Sequence, residues 1–332
     1  MSAKNLPFSI EEFQRRIRAT KQSMQSRGID VLVATDPANM NYLTGYDGWS
    51  FYTPQVVIIA LNAEQPICIV RQMDANGGRV TTFLADDNMI GYPDTYVQST
   101  ERHPMDWIAE EMTRRGMHKG TIGVEMDAYY YTAASHAALC KGLPNASMVD
   151  ATALVNWVRI IKSEREISYM RAAARIVELA TQRAYDTISP GVRQCDAAAE
   201  IYHAEISGTP EFGGDYTSLV PMLPTGVGTS TPHLTWSDKP FVAGEATILE
   251  LAGAHKHYHC PMARTLHLGE PPQKLADTSK VVMEGLAAAL DFAKPGVSCE
   301  EVEEVWRNSI AKHGLIKESR LGYSTGVNYP PD

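Results

Sequence analysis

The stretch ILELAGAHKHYHCPMART, residues 248–265, decides the fold of this chain. It opens as an apolar run that contains one acid, Glu250. The alternation around that acid predicts a strand with one face on a core and the other toward a cleft. A carboxylate inside so apolar a strand is costly unless it is paired or used. The sequence therefore predicts a functional acid at Glu250, and the alternative is a buried glutamate bonded to backbone groups or to Arg264.

Three histidines alternate in the second half of the same stretch, at His255, His257 and His259. In an extended segment all three would face the same side. Three imidazoles on one side can bind zinc. They can also contact a substrate, and the pattern alone leaves both uses open.

A further histidine, His233, stands in STPHLTW, directly before the predicted strand region. A neutral imidazole can both take and give a proton near pH 7. We therefore predict that His233 is a catalytic acid or base on the other side of the cleft from Glu250. The alternative is a loop histidine bonded to a backbone carbonyl.

Length and composition exclude several classes of protein. The chain has 332 residues, which favours two domains, and its net charge of −9 argues against a nucleic-acid surface. No apolar run is long enough to span a bilayer, and the N-terminal residues lack the apolar segment of a signal peptide. Five scattered cysteines without a CxxC pair indicate reduced thiols. A cytoplasmic protein without a membrane or nucleic-acid partner is expected.

Hydrophobic periodicity divides the chain into two domains. Residues 1–160 alternate strands and helices, with an amphipathic helix over 9–28 and a hairpin over 56–71, which predicts an α/β domain. Residues 161–332 are predicted to form a second domain that begins with a long helix over 163–188.

A weak internal repeat runs through the second domain. Residues 189–202 resemble 294–306, and 225–233 resemble 325–332, at about the same offset. Two halves, each with two helices around a Pro-Gly-Val motif and a following β segment, predict a pseudo-two-fold α+β domain. Residues 234–268 supply strands to the first half, and nothing follows the second half. A truncated second domain is therefore expected.

The apolar strand with its acid and glycine, followed by a tyrosine and an Arg-Thr pair, resembles the sheet motif of the pita-bread superfamily. Its members include methionine aminopeptidase, proline dipeptidase and creatinase. Their metallopeptidases bind two metal ions with an Asp on each strand and a His. In the resemblance these positions fall on Glu250, Pro261 and Tyr323, and the last two cannot serve as the family requires. The resemblance implies an enzyme without a metal or other cofactor, with His257 or His259 as substrate contacts.

Within the creatinase-type branch, four strings resemble the ectoine hydrolase family. They are GYDGWSFYTPQ, STPHLTWSDKP, ELAGAHKHYHCPMART and GYSTGVNYPPD. This resemblance implies metal-independent opening of a cyclic amidine to N-acetyl-2,4-diaminobutyrate. Glu250 would be the nucleophile or the general base, and His233 would protonate the departing ring nitrogen. Arg264, in the Arg-Thr pair, is expected to support the strand pair or to orient Glu250 rather than to touch the substrate, although it is included among the substrate-site residues.

An aromatic loop in the first domain contains Trp49, Phe51 and Tyr52. In creatinase-like homodimers the equivalent loop reaches over the partner subunit's cleft. These rings could then wall a small cationic substrate there. The alternative is that they pack on their own domain.

Three other functions stay open on sequence grounds. The nearest is creatinase-like hydrolysis of another small amidine or guanidine. The second is a dimethylsulfoniopropionate lyase, because the superfamily also contains such enzymes. The third is a non-catalytic binding module of the same fold.

Overall fold

The structure of the chain is a computed structural model that describes residue 4 and residues 6–331. The chain forms two compact units. The first contains the residues up to Tyr169 together with Gly326–Pro330, and the second contains Met170–Thr325.

The first unit is built on a six-stranded mixed sheet in the order β4-β3-β2-β1-β5-β6. Its strands are β1 Val31–Ala34, β2 Val56–Ala60, β3 Ile67–Arg71, β4 Met89–Tyr92, β5 Gly120–Val124 and β6 Ala146–Asp150. β2 pairs antiparallel with β1 and β3, whereas the pairs β3–β4, β1–β5 and β5–β6 are parallel. β2 and β3 form the predicted hairpin.

Helices alternate with these strands, as the periodicity predicted. They are α1 Ile10–Ser26, α2 Pro37–Thr44, α3 Asp74–Thr81, α4 Pro104–Arg114, α5 Ala133–Gly142, α6 Leu154–Arg159 and the start of α7 Glu164–Thr187. The Ser9 side chain caps α1 by accepting from the amide of Glu12. Apolar side chains of α4 and α5 pack with those of the central strands in one buried core. The first unit is therefore the α/β domain expected from the sequence.

The second unit begins with two helices that cover one face of a long hairpin. α8 spans Gln194–Ser207, and the hairpin consists of β7 Ala246–His255 and β8 Tyr258–His267. Leu249 and Leu251 of β7 lie in a core with Val177 of α7 and Ile201 of α8. Gly253 approaches the α7 backbone so closely that a Cβ there would lie 2.1 Å from the carbonyl oxygen of Ala173.

Two further helices repeat the helical pair of the second unit. α9 Gln273–Phe292 and α10 Cys299–Ala311 pack around Ala289, Trp306 and Ile310. The repeated Pro-Gly-Val motif lies between the helices of each pair. β7–β8 is the one sheet of this unit in the described residues. No helix in the described part of the chain is long and apolar enough to cross a membrane.

Candidate active site

The two faces of the β7–β8 hairpin differ in character. Directly opposite residues of an antiparallel pair lie on the same face, and the register pairs Glu250 with Ala263. The face that carries Glu250 otherwise holds small residues near its centre, including Ala252 opposite Pro261. The opposite face is the apolar one that packs on the helices. The predicted alternation along β7 is thus present, with one face in the core and a second face that carries Glu250.

The backbone of Glu250 is fixed, whereas its carboxylate is not. The Glu250 amide donates to the carbonyl oxygen of Met222 at 3.1 Å, and its carbonyl oxygen accepts from the Met222 amide at 3.0 Å. Its half-buried carboxylate makes no hydrogen bond or ion pair with any residue that the structure describes. A carboxylate held on a rigid strand and without a protein partner can act on a substrate.

The residues around Glu250 do not fit the two-metal site of the metallopeptidases. Pro261 shares the face with Glu250 and stands one same-face pair away, yet its ring offers no donor atom. Tyr323 is 61% exposed, and the Arg320 guanidinium lies over its ring at 5.3 Å. Among residues 4 and 6–331, no three His, Cys, Asp or Glu side chains are grouped as a metal site requires.

His233 lies in an exposed loop just after the 3-10 turn Gly226–Ser230. Its φ of 65° places a non-glycine residue in the left-handed region, which costs about 1–2 kcal/mol. The side chain forms no hydrogen bond or ion pair with Glu250. The structure therefore places His233 at an accessible position and does not bring it into contact with the carboxylate.

The prediction that three alternating histidines share one side is wrong. Residues 255–259 are not extended, because Lys256 and His257 form a two-residue hairpin turn with φ of 53° and 59°. His255 pairs its Nδ1 with the carbonyl oxygen of Gly213 at 2.9 Å. His257 is buried in the turn, where its amide donates to Asp215 Oδ2 at 2.9 Å. The three imidazoles point to different surroundings.

His259 is buried on the same face as Glu250, opposite Ala254. Its Nε2 accepts from the Ser218 amide at 2.9 Å, so Nε2 carries no proton. Nδ1 then donates to the carbonyl oxygen of His257 at 2.8 Å. Burial lowers the pKa of His259 to about 4, which keeps the ring neutral. Both ring nitrogens bond inside the protein, so neither is available to hydrogen-bond a substrate in this structure.

Arg264 lies on the helix face of the hairpin. The register places it opposite Leu249, whereas Glu250 points to the other face. Its exposed guanidinium donates to the neighbouring carbonyl oxygen of Ala263 at 2.7 Å. This placement contradicts the prediction that Arg264 orients Glu250 or binds a substrate beside it, because side chains alternate between the two faces of a strand.

The aromatic loop of the first unit divides into two parts. Phe51 packs within its own unit, with ring centroids 5.8 Å from those of Tyr130 and Tyr329. Trp49 and Tyr52 are 65% and 62% exposed. The packing alternative therefore holds for Phe51, whereas Trp49 and Tyr52 present their rings at the surface of the first unit.

Asp215, Ser218 and Met222 border the candidate site and did not emerge from the sequence. They belong to a segment that follows the free edge of β7, and each bonds to the hairpin. The string EFGGD, which contains Asp215, indicated only a turn. An Asp after two glycines was the one signal there, because such a side chain often holds a nearby backbone amide.

Comparisons with known proteins agree with this architecture. The model of the Creatinase/Prolidase N-terminal domain matches residues 16–161, and that of metallopeptidase family M24 matches residues 168–332. An uncharacterized hydrolase/peptidase of Sinorhizobium fredii is 48% identical over 326 residues, which are 98% of this chain and 83% of that protein. Ectoine hydrolase of Halomonas elongata is 45% identical over 335 residues, covering 99% of this chain and 84% of that enzyme.

Solved structures show the same fold. The prolidase from Pyrococcus horikoshii OT3 superposes with a TM-score of 0.78 at 20% identity, over 95% of this chain and 83% of the prolidase chain. At this identity the likeness concerns the fold alone.

Proposed function

The chain belongs to metallopeptidase family M24, in the pita-bread branch with a creatinase/prolidase N-terminal domain, and we propose that it is a hydrolase that opens the ring of ectoine without a metal ion. The product is N-acetyl-2,4-diaminobutyrate. The substrate assignment is supported by the 45% identity to an ectoine hydrolase.

One observation carries the mechanism. The Glu250 carboxylate stands without a described partner on the cleft face, beside Pro261 where a metallopeptidase needs an acid. A protonated amidine has an electrophilic carbon and a delocalised positive charge, so it needs no metal to polarise it. A carboxylate can hold that charge and attack the carbon, or deprotonate a water that attacks it.

The reaction then consumes one water and breaks one ring C–N bond. The electron pair of that bond leaves with the nitrogen, which must be protonated to become an amine. We assign this proton to His233, because its imidazole is exposed in the loop that precedes β7 and histidine is the side chain that most often serves as a general acid. In the bound complex His233 would approach the substrate from the loop, while Glu250 acts from the strand.

The same carboxylate would serve another small amidine or guanidine equally well, because charge and geometry at the reacting carbon are similar. Creatinase-like hydrolysis is therefore the second candidate function.

The proposal includes a cytoplasmic homodimer in which Trp49 and Tyr52 complete the site of the partner subunit. Support comes from the exposure of these two rings. Large exposed aromatic side chains are typical of binding surfaces. The five cysteines, all of them free thiols, accord with a reducing compartment.

The test is hydrolysis by the purified protein before and after exhaustive chelation, with the metal content of the same sample measured. Ectoine, creatine and dimethylsulfoniopropionate are offered in parallel, and release of a primary amine from ectoine, of urea from creatine and of a sulfide from dimethylsulfoniopropionate is followed. We expect turnover of ectoine that chelation leaves unchanged. Turnover that disappears on chelation and returns with manganese or zinc would refute the metal-free mechanism. Turnover of creatine alone would establish the second candidate.

A further inference from the structure

The free edge of β7 carries a second segment that interrupts its pairing. The Asp215 amide donates to the carbonyl oxygen of Ala254 at 3.0 Å, and Met222 pairs with Glu250. From Asp215 to Met222 the segment advances seven residues, while β7 covers the same stretch from Ala254 to Glu250 in four. The six residues between these two attachments, Tyr216–Pro221, are three more than β7 has over the same stretch; they leave the edge and form what we call the bulge.

The bulge folds over one end of the face that carries Glu250. Its Ser218 amide donates to Nε2 of His259, which lies on that face at the turn end of the hairpin. Thr217 and Ser218 are both buried there. Between the bulge and Glu250 the face presents only the pair formed by Ala252 and Pro261. The bulge therefore contacts this face two same-face pairs away from the half-buried Glu250 carboxylate.

Two side chains hold the bulge at this place. Nδ1 of His259 donates to the carbonyl oxygen of His257, and this bond leaves the lone pair of Nε2 to accept from Ser218. Asp215, directly before the bulge, accepts from the His257 amide through its carboxylate. Because Met222 directly follows the bulge and pairs with the main chain of Glu250, the position of the bulge is tied to that of Glu250.

We propose that the bulge Tyr216–Pro221 is a wall of the substrate pocket and that His259 is the positioning residue that sets this wall. The inference rests on the proposed function, since the pocket is that of Glu250 and a small ring such as ectoine. The wall contacts the part of the ring that does not react. Loss of the His259 acceptor should therefore weaken substrate binding and leave the chemical step at Glu250 largely intact.

The experiment compares three variants of the purified protein. His259→Phe keeps a buried ring but removes the acceptor, and His259→Gln restores an acceptor oxygen. His267→Phe is the matched control. His267 lies on the same face as His259 and is also two same-face pairs from Glu250, but toward the end of the hairpin away from the turn. We expect His259→Phe to raise KM for ectoine about tenfold or more, as loss of one hydrogen bond implies. Its kcat should stay within about threefold, and KM should return toward the wild-type value in His259→Gln.

A second readout needs no substrate. Hydrogen exchange of a peptide covering residues 216–222 should be faster in His259→Phe than in wild type and near wild type in His259→Gln. Wild-type protein that fails to hydrolyse ectoine refutes the proposed function, and the exchange experiment then still tests the attachment of the bulge. Faster exchange with an unchanged KM in an active protein would overturn the assignment of the bulge as a pocket wall.

Asp215→Ala covers the case in which His259→Phe does not fold. It deletes the other attachment of the bulge, so KM should rise while kcat is retained. A folded Asp215→Ala protein with a wild-type KM would overturn the proposal as well.

Discussion

A single buried carboxyl group should make the second unit less stable as pH rises. Glu205, near the end of α8, is only 1% exposed, and no described residue forms a good hydrogen bond with either carboxyl oxygen. Gly214 packs against the main chain of Glu205, because a Cβ on Gly214 would lie 1.8 Å from the Glu205 carbonyl oxygen. Burial raises the pKa of Glu205 from 4.5 to about 8. The nearby backbone amide of Ala252 favours the charged carboxylate and offsets only part of this increase.

The sign and size of the effect follow from this pKa. Between pH 4.5 and 8 the folded protein keeps a proton on Glu205 that the unfolded chain releases, so the free energy of unfolding falls as pH increases. Each unit of pKa difference corresponds to roughly 1.4 kcal/mol. From pH 5 to pH 8 this one group should therefore remove roughly 3–4 kcal/mol. Glu205→Gln cannot ionise, so its stability should lack this part of the pH dependence.

The assay is urea unfolding of wild type and Glu205→Gln at pH 5 and pH 8, followed by circular dichroism. The variant should lose stability relative to wild type at pH 5, because its amide is buried without a partner. It should gain relative to wild type at pH 8. Glu200→Gln, on the same helix but exposed, serves as the matched control and should show no such change. If the difference between Glu205→Gln and wild type is the same at both pH values, Glu205 does not ionise across this range in the folded state and the reasoning fails.

Two further predictions concern catalysis. Glu250→Gln and His233→Ala should each lower ectoine turnover by ~10²–10⁴ without unfolding the protein, and a variant with near-wild-type turnover in a steady-state assay would remove that residue from the mechanism. Mixing Tyr52→Ala chains with Glu250→Gln chains should regain activity if sites are shared, because each mixed dimer then has one intact site of two. Isolated mixed dimers that stay inactive would place Tyr52 outside the partner's site.

The elements that the sequence predicted well are those set by local periodicity and end signals. Ser9 before an amphipathic run marks the start of α1, and the side chain indeed caps the helix. The long helix expected over 163–188 is α7, and the two Pro-Gly-Val motifs separate the helices of each pair. These features need only information within about twenty residues of chain, which is what a single sequence supplies.

The turn of the β7–β8 hairpin could not be predicted in this way. A type I′ two-residue hairpin turn needs positive φ at both central residues, and Asn-Gly or Gly-Gly is the usual signal. Here Lys256 and His257 occupy these positions. The turn is held from outside by Asp215, about forty residues earlier in the chain, so the constraint is tertiary. Without a turn signal, the alternating histidines read as one extended strand.

The exchange of a metal-binding acid for Pro261 is also explained only by the register. Proline has no amide hydrogen, and in the middle of a strand it usually removes a ladder hydrogen bond. On β7, however, the amides of Ile248 and Glu250 point to the outer edge, where they bond to Pro224 and Met222. The direction of the amides alternates from one residue to the next, so the amide of Ala252, two residues after Glu250, also points to the outer edge. Ala252 and its partner Pro261 therefore form a pair that exchanges no hydrogen bonds across the hairpin. Pro261 can therefore replace an acid without weakening the β7–β8 ladder. The strand keeps its shape and Glu250 its place, while the second acid needed to bridge two metal ions is gone. Under the proposed function, the hairpin can therefore belong to a metallopeptidase family and still act on a substrate that carries its own positive charge.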